Sequence, residues 1–197
     1  VKLNEATAKE LGFKKVSKLK LAVAKIIKEY VIRGGFLFSM CSGSDTIDIA
    51  LAAENTDICD TVFDGDPIDP KCQEKLDYTK CFAFQNFKLI TNPMVYEYSD
   101  IDIPPSNNPV LRKEEDDFFT LFEFSAKYDP VPTMLIQCHV SVIKGFMGQT
   151  TGFRKRLIKK SVVILAEAEG TEQVKYLHGN LGRGTFTFYG GHDPEDY

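Results

Sequence analysis

A thiol and an imidazole in one chain are enough for nucleophilic catalysis if the fold brings them together. This sequence carries five cysteines and three histidines. Cys41 stands out because of what surrounds it. Gly34-Gly35 is followed by the apolar run Phe36-Leu37-Phe38-Ser39-Met40, then Cys41, then Ser42-Gly43-Ser44-Asp45 and a short apolar helix pattern over Thr46 to Ala53. The pattern predicts a buried strand that stops at Cys41 and a helix that starts just after it, with Ser44 or Asp45 capping the first turn through a side-chain oxygen. A cysteine at such a corner meets the amino end of a helix, whose dipole favours a thiolate. The arrangement is that of a nucleophile elbow with cysteine in place of serine.

A cysteine nucleophile works with a base, and a carboxylate that holds the base in one tautomer. His192 is the best placed of the histidines: it follows a predicted strand, Thr185 to Tyr189, and has Asp193 and Glu195 beside it. If that strand lies parallel to the one before Cys41, both open on the edge where α/β sheets bind ligands. His139 falls in a predicted strand, Met134 to Ile143, and reads as a structural histidine; His178 is expected at an exposed strand end. Cys138 and His139 are adjacent, so in an extended strand they point to opposite faces and form no dyad.

The rest of the chain must position these residues. The first 33 residues hold nine basic and three acidic side chains, and Leu19, Val23, Ile26, Ile27 and Tyr30 form one helical stripe. That pattern predicts an amphipathic helix with the stripe inward and the lysines solvated. Strands are expected at Phe82 to Ile90, Phe118 to Phe124, Met134 to Ile143 and Val162 to Ala166. A hairpin is expected between Val174–His178 and Thr185–Tyr189, joined through Gly179 to Gly184. Asp64-Gly65-Asp66-Pro67-Ile68-Asp69-Pro70 is turn-rich and lacks the spacing of a calcium-binding loop. No Walker pattern accompanies Gly145 to Thr151, and no C-x-x-C pair is present; Cys59 with Cys72 or Cys81 is the pairing open to a disulfide, with free thiols the simpler expectation.

Hydrophobic residues make up 43% and charged residues 26% of 197, which suits one soluble domain. A net charge of −4 argues against a nucleic-acid partner. No apolar run approaches the roughly 18 residues that cross a bilayer, and no signal peptide opens the chain. A cytoplasmic or periplasmic location is expected, and the chain reads as a piece of something longer.

The strand, the cysteine elbow and the late strand-His-acid stretch together resemble the class I glutamine amidotransferases. The resemblance covers Gly35 to Ala53 and Gly184 to Glu195. Over more of its length the chain is similar to proteins of the Bacteroides group labelled asparagine synthetase B, through Met40-Cys41-Ser42, Phe63 to Pro67, Asp129 to Met134, Gly145 to Thr151 and Gly190 to Tyr197. The resemblance implies an α/β fold, a flavodoxin-like three-layer sandwich with a mostly parallel sheet and an antiparallel extension, as a single domain over residues 1–197. It also implies a Cys-His-acid triad of Cys41, His192 and either Glu195 or Asp193, acting on an amide without a cofactor or metal. Two departures stand out. Ser39 occupies the place of the first elbow glycine, and Asp193 is inserted between His192 and Pro194. Ser42 to Thr46 is one residue short of the pyrophosphate loop of a synthetase. The other functions in view are a binding module of the same frame, comparable to the trehalose-utilisation family and taking a sugar-like ligand, and a structural subunit. A homo-oligomer or a missing segment would complete either.

Overall fold

In the computed structural model the described residues are 2–95, 97–103, 118–121, 142–144, 152–168 and 170–190, with backbone alone at 2, 118–121 and 142–144. Helices α1 (Lys2–Glu10), α2 (Val16–Ile32), α3 (Ser42–Ala52) and the single turn α4 (Thr61–Asp64) accompany one sheet. Its strands are β1 (Phe36–Met40), β2 (Phe118–Leu121), β3 (Val142–Lys144), β4 (Phe153–Arg154), β5 (Val163–Glu167), β6 (Gln173–Leu181) and β7 (Gly184–Tyr189). They run in the order β1-β7-β6-β5-β2-β3, with β4 paired to β6.

The sheet is mixed. Only β1 and β7 are parallel, and every other pairing among the described strands is antiparallel. The expected mostly parallel sheet is therefore met at one pair, while the antiparallel extension makes up the rest. The reason lies in the connections. The β1-to-β7 pairing needs a long crossover, whereas β6 and β7 join through a two-residue turn. Gly182 takes φ +63° as the first of those residues and Arg183 does not, the position where a type II′ hairpin uses glycine. The hairpin is tighter than expected, because both strands extend into the stretch read as its loop.

Alternation along β7 turns Phe186 and Phe188 toward the helices and Thr185, Thr187 and Tyr189 the other way. The two phenylalanines pack with Phe82, Phe84, Phe153 and Leu177, and with Ala24 and Val31 of α2 and Ile49 and Ala52 of α3. Gly184 sits where β7 begins beneath the end of α2. A Cβ there would fall 2.1 Å from the Val31 carbonyl and 2.2 Å from that of Gly35, so only glycine fits.

Three expectations are corrected. Helix α2 buries Ala24 and Val31, while Val23, Ile26 (69% exposed) and Tyr30 face outward, so the apolar stripe is not the core face. The segment from Phe82 to Ile90 forms no strand. It makes isolated bridges at Phe84 and Leu89, because the amides of residues 82–84 are taken by a buried carboxylate. His178 is buried within β6, its Nδ1 2.9 Å from Thr187 Oγ1. The polar partner on the neighbouring strand lets it sit inside.

Candidate functional site

The corner after β1 forms as the sequence suggests, but the strand is not the buried one expected: it lies at the sheet edge with Phe36, Phe38 and Met40 exposed. Strand β1 ends at Met40, α3 begins at Ser42, and Cys41 between them takes φ 53° and ψ −144°. A side-chain-bearing residue rarely adopts that conformation, which costs on the order of 1–3 kcal/mol and persists only where surrounding contacts enforce it. Here the contacts come from both sides. The Cys41 amide donates to the Tyr189 carbonyl at 3.0 Å, continuing the parallel ladder beyond Met40↔Tyr189. The Cys41 carbonyl accepts from Ser44 N at 3.2 Å, closing the first helical turn. A Cβ at Gly43 would lie 3.1 Å from Ser39 Oγ, so the small residue at 43 makes room for the serine that replaces the first elbow glycine.

The expected side-chain cap is absent. Ser44 Oγ donates instead to the Ser39 carbonyl at 3.1 Å, tying helix to strand, and Asp45 turns inward. Cys41 itself occupies the N-cap position without a side-chain cap bond, and is 5% exposed.

Beneath the elbow lies a group of buried carboxyls that sequence reasoning missed. Asp45 is 0% exposed and Asp102 is 8% exposed. Neither oxygen of Asp45 has a donor, nor does Oδ1 of Asp102. The two interact, and both are held above the usual carboxylate range. For Asp45 the causes are burial, then the charge of Asp102, partly opposed by the nearby amide dipoles of residues 45 and 46, which lie outside hydrogen-bond geometry, with Cys41 adding to the rise. Asp102 is lifted to about 7 by burial and then Glu97, with Asp45 pulling it back. One turn further along α3, Asp48 is fully buried and accepts from the amides of Phe82 (2.6 Å), Ala83 (2.8 Å) and Phe84 (2.9 Å). Burial lifts it to about 6 against those donors and Lys159, which leaves it ionised at neutral pH. At the same end of the sheet Lys175 is fully buried, and its carbonyl accepts from Gly190 N at 2.7 Å.

Of the residues expected to act with Cys41, His192, Asp193 and Glu195 lie outside the described residues, as do His139, Cys138 and the glycine-spaced loop from Gly145 to Thr151. The structure does place the end of the strand that leads to His192, Tyr189, in contact with Cys41.

The acidic turn at 57–66 is a separate feature. Asp57, Cys59 and Asp64 offer three ligand atoms within 4.8 Å of one another. The Lys15 ammonium already sits among them, 2.8 Å from Asp57, 3.4 Å from Asp64 and also paired with Asp66. These carboxylates raise the lysine further. None of Cys41, Cys59, Cys72 and Cys81 is in a disulfide, so the disulfide alternatives are not formed. Burial raises Cys81, and Asp48 adds to it; burial also raises Cys59, with Asp64 and Asp57 contributing. Both environments make an inert thiol.

No signal marked Asp102, because its loop has no periodicity. Asp45 and Asp48 were visible only as helix residues, and a carboxylate in a first helical turn reads as a cap. Among the described residues no helix is long and apolar enough to cross a membrane. Compared with protein-family models, with curated proteins and with solved structures, the chain gives no match.

Proposed function

We propose that the chain is an amidotransferase-like or amidohydrolase-like protein with Cys41 as its nucleophile. In this reading Cys41 attacks an amide carbonyl, His192 takes the thiol proton and returns it to the leaving amine, and Glu195 or Asp193 orients the imidazole. Ammonia departs and a thioester remains on Cys41, to be released by water or another acceptor. Amide groups following Cys41 would receive the oxyanion. The fold relation that goes with it is flavodoxin-like, resting on the parallel β1–β7 pair and the α3 crossover that begins at the elbow.

The observation that carries the reading is the backbone of Cys41, φ 53° with ψ −144° at a strand-to-helix corner. A packed structural cysteine has no need of that conformation, and strain of this kind concentrates at functional sites. The chain from Tyr189 adds support. The Tyr189 carbonyl accepts from the Cys41 amide, and His192 follows three positions later in the sequence. A second reading, a binding module on the same frame with a relic thiol, is favoured by the 5% exposure of Cys41.

Alkylation by iodoacetamide at pH 6 separates them. An ordinary thiol is only about 0.3% ionised at that pH, so a dyad reacts about 10²-fold faster. His192→Ala is expected to remove that factor from Cys41. Equal rates in the two proteins would leave the binding module.

A further inference from the structure

The pair beneath the elbow calls for an explanation of its own. Two carboxyls that are both ionised and both buried, with three oxygens lacking donors, would face a large desolvation cost and each other's charge. Something positive must lie between them. A metal ion is one answer, but hard cations take six or more oxygens. Among the described residues, the only set of three acidic, cysteine or histidine ligands close enough to share an ion is Asp57, Cys59 and Asp64, away from this pair. A lysine is another answer, and neither member of the pair is paired with one among the described residues. A proton is the third. It needs no extra ligand and no space, and it turns two acceptors into a donor and an acceptor.

We propose that Asp45 and Asp102 share one proton as an acid–carboxylate pair, and that this bond fastens the first turn of α3, and with it the Cys41 elbow, to the loop of residues 99–103. Asp45 is the donor, being the more deeply buried, and Asp102 the acceptor. The loop is a firm anchor. Ile103 N donates to the Gly152 carbonyl at 3.0 Å, Arg154 N donates to that of Ile101 at 2.8 Å, and Asp102 bridges to Phe153. Asp45 is thus a positioning residue for Cys41; its role there rests on the proposed function, whereas the shared proton does not.

Among the described residues the titratable neighbours of the pair include Cys41 at the corner, Glu97 on the loop and Asp48 one turn along α3. Glu97 and Cys41 act on it directly, and both favour the protonated form. The sign follows. A carboxyl raised in the folded state adds stability that is complete below its unfolded value, near 4, and lost as pH rises through its folded value. For Asp102 that loss begins near pH 4 and ends just above pH 7, and Asp45, also raised, acts in the same direction. Asp48, near 6, has lost most of its contribution by pH 6.

The test is the urea midpoint at pH 6, 7 and 8 for the wild type, Asp102→Asn and the double variant Asp45→Asn/Asp102→Asn. The double variant keeps a hydrogen-bonding pair without a titrating proton, so it remains informative if the single variant folds poorly. The wild-type midpoint should fall over this range, and the fall should shrink by more than half in the variants. In parallel, the rate of Cys41 alkylation relative to Cys59 should change across the same pH window in the wild type and not in the double variant. A variant midpoint that falls as steeply as the wild type overturns the shared proton. So does a wild-type midpoint at pH 8 restored by millimolar magnesium, calcium or zinc, since a cation would then fill the gap. Flattened midpoints with an unchanged Cys41-to-Cys59 ratio would keep the proton and overturn the positioning role. Whether Cys41 is catalytic is read separately, from the His192→Ala comparison.

Discussion

Asp48→Ala is expected to cost about 5 kcal/mol, a third or more of the chain's total stability. Each buried amide that loses its partner costs about 1–3 kcal/mol, and Asp48 serves three of them, on Phe82, Ala83 and Phe84. A domain of this size has a total stability of about 5–15 kcal/mol. The carboxylate does the work of a missing strand partner. It gathers the amides of the bent segment from Phe82 to Phe84, which has no ladder, and leaves its phenylalanines packed against Phe186, Phe188 and Phe153. Asp48→Asn should be milder, about 2–3 kcal/mol, because one oxygen still accepts while the amide NH₂ opposes the remaining donors. Urea unfolding followed by far-UV circular dichroism gives both values. A loss below about 1 kcal/mol for the alanine variant would mean that water reaches these amides.

The second large effect concerns activity. Release of ammonia from primary amides, glutamine first, should be abolished by Cys41→Ala, because no other described cysteine shares its corner geometry. His192→Ala should lower it by about 10²- to 10⁴-fold, the range for removing a general base. The two substitutions together should cost no more than Cys41→Ala alone, since residues that act as a unit are not additive. Circular dichroism of each variant shows whether the fold survives. Ammonia release unchanged in Cys41→Ala would assign the activity elsewhere. A wild type inactive on amides and esters alike would favour the binding module.

The elbow and the hairpin were legible from residues because each is a local pattern with sharp punctuation. Gly34-Gly35, five strand-forming residues and a small-residue turn mark β1 and α3; Gly182 marks the hairpin. Parallel pairing of β1 and β7 was legible only as a condition, since nothing local fixes which strand lies beside β1. An antiparallel extension and its hairpin were expected, but their share of the sheet was underestimated because the resemblance pointed to mostly parallel strands. Misreadings at α2 and at Phe82 to Ile90 share one cause. Periodicity reports which residues are apolar, not which are covered, and it is blind to a side chain that replaces a strand. The Asp45–Asp102 pair was illegible for a similar reason. A lone aspartate in an aperiodic loop carries no sign of the helix it will meet.

In the proposed function Cys41 is held in a strained conformation because it reacts. Peptide mapping after brief iodoacetamide treatment of the native protein at pH 6 tests it most directly, by showing which of the five cysteines is modified first. The account predicts Cys41, ahead of the half-buried Cys59 and well ahead of the buried Cys72 and Cys81. Modification of Cys59 first, with Cys41 reacting only after urea is added, would contradict it.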